Sequence, residues 1–173
     1  EYYKIKFKSR VYTPLNNSEK YTLVLMGRAD FGLLGSYNKY KQTPFETFHV
    51  GGDGMTGSYT YATETIGLRG YDNGALTPYS DGRAYTRFSM ELHFPFLLQP
   101  SSTIYGLAFV EGGNAWTSLE NFNPFSLKRS AGVGVRIFLP MIGLMGIDWA
   151  YGFDKVQGGK GGGHFHFILG QEF

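Results

Sequence analysis

Alternation with a period of two runs through nearly the whole chain, and it constrains the fold more than any other feature. Between Tyr3 and Tyr12 one parity reads Tyr3, Ile5, Phe7, Ser9, Val11 and the other Lys4, Lys6, Lys8, Arg10, Tyr12. An extended segment with that pattern has one apolar and one wet side. The same reading places strands at about residues 2–13, 21–33, 84–94, 103–116, 127–139, 144–153 and 164–173. In the third, Phe88, Met90, Leu92 and Phe94 oppose Tyr85, Arg87, Ser89, Glu91 and His93. In the sixth, Met145, Ile147, Trp149, Tyr151 and Phe153 oppose Gly146, Asp148, Ala150 and Gly152. The segment 103–116 is the least clean, being apolar on both faces.

These strands are long enough to cross a bilayer when tilted, whereas no run approaches the ~18 apolar residues of a membrane helix. The mean hydropathy of −0.21 suits a soluble protein, but it equally suits a membrane barrel whose strands hide half their residues from a window average. Polarity separates the two. The wet faces carry lysine, arginine, carboxylates and glycine, as a water-filled lumen would, and the connections alternate short (14–20, 95–102, 140–143) with long (34–83, 117–126, 154–163). We therefore expect an all-β fold, an antiparallel transmembrane β-barrel wall, over a soluble β-sandwich. A net charge of +2 gives no electrostatic case for nucleic acid. The absence of cysteine removes disulfides, thiolate metal sites and cysteine nucleophiles.

The long connection 34–83 is rich in glycine, proline, asparagine and serine, with strong turn chemistry at Gly51-Gly52-Asp53-Gly54 and a short irregular strand expected within 43–50. A loop of that length belongs in a compact domain only if it is functional or packed inside something. It contains Leu68-Arg69-Gly70-Tyr71, an arginine that is either solvated or aimed at a carboxylate. Parity turns Glu91 and Glu111 to the lumen, together with Arg87, Lys128 and Arg136, and all of these could simply line a wet cavity. Asp148 reads as a structural lumen partner of Arg136 in preference to a catalytic acid. His164 and His166 share one strand face, which is more consistent with a wet lumen face at a barrel seam than with a metal site, since no third ligand is apparent. Gly158–Gly163 with Lys160 lacks the context of a phosphate loop, and Gly132 and Gly134 read as small lumenal residues leaving room for an infolded loop. No serine, histidine and aspartate fall at a spacing that builds a triad, so no enzyme and no cofactor is expected.

In order along the chain, Gly51-Gly52 with LRGY (68–71), FVEGGNAW (109–116), GVGVRIFLPMIG (132–143), GIDWAYGF (146–153) and a final FHFILGQEF resemble the C-terminal half of the barrel of the BamA/TamA family of outer-membrane assembly proteins. YYKIKFKSRVYTPL and LVLMGRADFG are similar to the two preceding strands, so the resemblance covers essentially the whole chain. The GQEF ending is most similar to the Bacteroidetes branch. The family's pattern of sixteen strands and periplasmic POTRA domains implies that these seven strands are a piece of a longer protein. The stretch from Gly52 to Leu68 is longer than the family's.

The resemblance implies a latch, with Arg69, Gly70 and Tyr71 folding back into the barrel and Arg69 meeting Glu91 and Glu111. It also implies a lateral seam at the last strand, carried by Gly163, Phe165, Phe167, Gly170 and Phe173, with Arg136 and Asp148 as lumen residues. The implied function is insertion of unfolded outer-membrane proteins into the outer membrane. The partners would be those substrates, the lipids and accessory assembly lipoproteins. The alternative is a two-partner-secretion-type or passive translocation pore of the same superfamily.

Overall fold

The computed structural model describes residues 2–16, 18, 21–37, 46–54, 63–156 and 161–170. Its strands are β1 (Tyr2–Pro14), β2 (Val24–Ser36), β3 (Thr47–Val50), β4 (Thr63–Ile66), β5 (Ala84–Gln99), β6 (Ser102–Trp116), β7 (Lys128–Leu139), β8 (Gly143–Gly152) and β9 (Gly163–Leu169). Seven of them form one antiparallel sheet in the order β1-β2-β5-β6-β7-β8-β9. Apart from the excursion between β2 and β5, each strand pairs with the next in sequence, as a meander rolled into a barrel wall requires. Among the described residues the sheet is open, with β1 and β9 at its edges.

Several boundaries differ from the expected ones for local reasons. β2 begins at Val24 instead of residue 21 because the Asn16 side chain donates to the Tyr21 carbonyl at 3.0 Å and accepts from Leu23 N–H at 2.8 Å, which holds those residues in the turn. β5 runs past Pro95 to Gln99. The register shifts between Pro95 and Leu97, and this bulge absorbs the donor that proline lacks. β9 ends at Leu169, where Gly170 turns into the left-handed region (φ 72°). Phe173, expected at the seam, lies outside the described residues, as do 43–45 of the expected short strand and 158–160 of the glycine-rich stretch.

The two faces of the sheet have the polarity of a barrel in lipid. Ile5, Phe7, Val11, Met90, Val110, Val133, Ile147, Trp149, Phe165 and Phe167 are exposed on the outside. Arg28, Asp30, Arg87, Glu91, Glu111, Arg136, Asp148 and His166 are buried on the inside. The apolar core lies on that inner side too, and the loop between β2 and β5 supplies most of it. Phe48, Val50, Ile66, Leu68, Tyr71 and Leu76 pack on Leu34, Tyr85 and Ala115 of the wall. Phe48 meets Tyr85 edge-on at 4.7 Å between ring centres. Gly32 leaves the space that the Tyr85 ring fills, since a Cβ there would lie 2.1 Å from it. Within the loop, β3 and β4 pair in parallel, Thr47 with Thr63 through Val50 with Ile66, and Pro78–Ser80 forms a 3₁₀ turn.

Candidate functional site

The loop reaches Arg69 along a constrained path. Gly52 and Leu68 bridge antiparallel, with both N–H···O bonds at 3.1 Å. Gly51 has a φ of 130°, and a Cβ there would sit 2.4 Å from the Asp72 carbonyl, so the glycine pair lets the chain lie against the motif. Gly70 (φ 88°) then turns the motif against β7 and β8, where a Cβ would come within 2.9 Å of Ser130 and 3.0 Å of the Gly152 nitrogen. Gly152 is the matching gap in the wall, with the Gly70 carbonyl 2.4 Å from where its Cβ would be.

Arg69 is fully buried. Its Nη2 donates to Glu91 Oε1 and, at 2.6 Å, to Glu111 Oε1, while Nη1 donates to Asp148 Oδ2 at 3.0 Å. Its backbone N–H donates to the other Glu111 oxygen at 2.9 Å. Beneath the guanidinium, the Phe109 ring centre lies 3.5 Å from Cζ, a desolvated cation–π contact. Burial alone would make the guanidinium easier to deprotonate, but Glu111 and Glu91 outweigh it and hold Arg69 firmly as a cation. Charge-assisted bonds of this kind are strong because water is excluded around them.

The surrounding wall completes the arrangement. Arg136 Nη2 donates to Asp148 Oδ2 at 2.8 Å, so one carboxylate serves two guanidinia. Ser89 Oγ donates to Glu111 at 3.1 Å, and His93 Nε2 lies 2.8 Å from Glu91 Oε2. Arg87 Nη1 donates to the Gly67 carbonyl at 2.6 Å while its Nε donates to Asp30 at 3.1 Å, tying the loop two residues upstream. Tyr71 Oη donates to the Arg129 carbonyl at 2.6 Å. Farther along, Lys4 and Lys6 of β1 reach Glu64 of β4 at 3.0 and 3.1 Å.

Of the residues named from sequence, Arg69, Glu91, Glu111, Asp148 and Arg136 therefore meet in one network. Asp148 is more than the partner of Arg136. Gly132 and Gly134 do leave room, but for the wall's own Phe109 ring and Asp148 carboxylate and not for the loop itself, which rests on Gly113 and Gly152. Sequence reasoning took Arg87 and His166 only as residues of a wet lumen face and gave Phe109 no role, yet His166 Nε2 accepts the Gly70 N–H at 3.0 Å. Their parity was visible, but what they touch was not. On β9, Phe165 and Phe167 point outward and Gly163 pairs with Tyr151.

A sheet apolar outside and charged inside, with one loop clamped on its inner face, is the wall of a transmembrane β-barrel. The Omp85 superfamily domain matches residues 1–173, and the chain belongs to that superfamily. In fold it is similar to BamA from Haemophilus ducreyi, in a crystal structure lacking POTRA domains 1–3. The TM-score is 0.62 at 20% identity, over 96% of this chain and 34% of that one. The chain thus spans about a third of the length of that solved structure.

Proposed function

We propose that this chain is the closing part of an outer-membrane insertase barrel, which receives unfolded outer-membrane proteins and releases them into the bilayer. The observation that carries the reading is the clamp: a loop arginine held by three wall carboxylates inside a sheet whose outer face is apolar. In this reading Arg69, Gly70 and Tyr71 are a latch that holds the loop and sets the wall's shape. β9 provides the lateral seam, since the final FHFILGQEF stretch resembles the last strand of the family's barrel. It is also short at seven residues, and it is bounded by Gly163 and Gly170. An edge strand offers unpaired backbone groups on which an incoming strand can form by β-augmentation. The work consists of exchanging hydrogen bonds, with no covalent step and no cofactor. The lipids of the outer membrane and accessory assembly lipoproteins are its partners.

The test is reconstitution of the full-length protein in liposomes with a urea-unfolded outer-membrane protein as substrate. Folded, protease-resistant substrate should accumulate with the wild type and fall sharply with Arg69→Glu. Transport of an unfolded chain into the vesicle lumen, without insertion, would replace the insertase with a translocation pore.

A further inference from the structure

The motif that Arg69 anchors also grips the last strand. Gly70 N–H donates to His166 Nε2 at 3.0 Å, and Asp72 Oδ1 lies 3.3 Å from His164 Nδ1. The two imidazoles stack at 6.1 Å between centres on the inner face of β9. An Nε2 that accepts a backbone N–H carries no proton, so His166 is the neutral ring with its proton on Nδ1. We propose that His166 is a positioning residue that ties strand β9 to the loop motif through its unprotonated Nε2, so that protonating this ring releases the strand from the loop.

The inference rests on the seam reading of β9 for its purpose, but the tie itself does not depend on that reading. His166 is buried, and its only covalent support is a strand with one partner among the described residues. The Gly70 bond therefore links it to a body anchored independently through Arg69, Arg87 and Tyr71. The charges facing the ring are His164 on its own strand, Asp148 directly across on β8, and Arg69 and Asp53 from the loop. A protonated imidazole has two donors and no acceptor, so the Gly70 N–H would face a donor and lose its partner. Glutamine at 166 supplies a carbonyl acceptor that does not titrate, whereas leucine supplies none.

Hydrogen exchange of the full-length protein in nanodiscs, corrected for intrinsic rates at each pH, reads the tie without any substrate. At neutral pH the wild type and His166→Gln should protect residues 68–72 and 163–169 alike. His166→Leu should exchange both segments roughly tenfold faster, the ratio that one lost buried hydrogen bond gives. At about pH 4.5, about two units below the ordinary imidazole pKa and so beyond the one unit that a tenfold tie to the neutral ring takes off it, the wild type should join His166→Leu while His166→Gln stays protected. Unchanged protection of 163–169 in His166→Leu, or an identical acid response in the wild type and His166→Gln, would overturn the proposal. A protein that shows the tie but inserts no substrate would instead overturn the insertase reading alone.

Discussion

Glu111 receives Arg69 twice, one carboxylate oxygen taking the backbone N–H at 2.9 Å and the other the guanidinium at 2.6 Å. Position 111 therefore fixes where the main chain of the motif lies as well as where its charge goes.

Charge reversal tests that dual role. Arg69→Glu would place a fourth carboxylate beside Glu91, Glu111 and Asp148, and breaking a buried pair in this way costs about 3–5 kcal/mol. The loop should leave the wall, seen as new protease cleavage near residue 69, and assembly should fail. Adding Glu111→Arg should restore docking only in part, because an arginine there cannot accept the backbone N–H. Full assembly by the single variant would remove the latch.

Close approach is tested without touching any charge. Gly152→Ala puts a methyl where the Gly70 carbonyl and the Tyr71 ring lie 2.4 and 2.9 Å away. Overpacking of this kind costs about 1–3 kcal/mol, so the thermal midpoint should fall and exchange at 68–72 should accelerate. Val133→Ala, on the exposed outer face, should do neither.

Tyr71→Phe should be mild. It removes the hydroxyl that donates to the Arg129 carbonyl and accepts from Asp154 N–H at 3.4 Å. That carbonyl also accepts from Phe153 N–H at 2.9 Å and is not orphaned, and the second bond is long. The loss should stay near about 1 kcal/mol in urea unfolding. A loss as large as that of Arg69→Glu would mean that the hydroxyl, and not the ring packing, anchors the motif.

Acid should loosen the other end of the loop first. Burial alone would raise the Glu64 carboxyl, but hydrogen bonds and charge from Lys4 and Lys6 overcome it and hold the group below its ordinary value of 4.5. A carboxyl depressed on folding contributes stability that is complete above that value and is lost as pH falls below it. Corrected exchange at β4 should therefore rise between about pH 5 and pH 3, and Glu64→Gln should flatten the profile. An unchanged profile in that variant would assign the acid response to other carboxylates.

The wall strands were legible because alternation is a local signal that a wall in lipid keeps on nearly every strand, with 103–116, apolar on both faces, the exception. Arg69, Glu91 and Glu111 were legible through resemblance and parity together. The third carboxylate was not. Asp148 lies 79 residues from Arg69, and nothing in its strand distinguishes a partner of Arg136 from a partner of both. The parallel pairing of β3 with β4 escaped notice because each is only four residues long and neither has a hairpin signal. Pro95 hid the continuation of β5, since a bulge that tolerates proline depends on the neighbouring strand.

The loop's anchors run from Lys4 and Lys6 on β1 to His166 on β9, with Arg87, Glu111, Arg129 and Asp148 between them. The bonds from Arg69 and Gly70 to the wall close chain separations of 22 to 96 residues, comparable with those closed by the β2–β5 pairing that brackets the loop. Contacts that distant carry a loop-closure cost that the local hairpins do not. Hairpins such as β6–β7 and β7–β8 are local and can form while the carboxylates of the inner face still meet water, before the motif and the β2–β5 pairing close. Until the motif seats, Glu91 and Glu111 lack the arginine that compensates them.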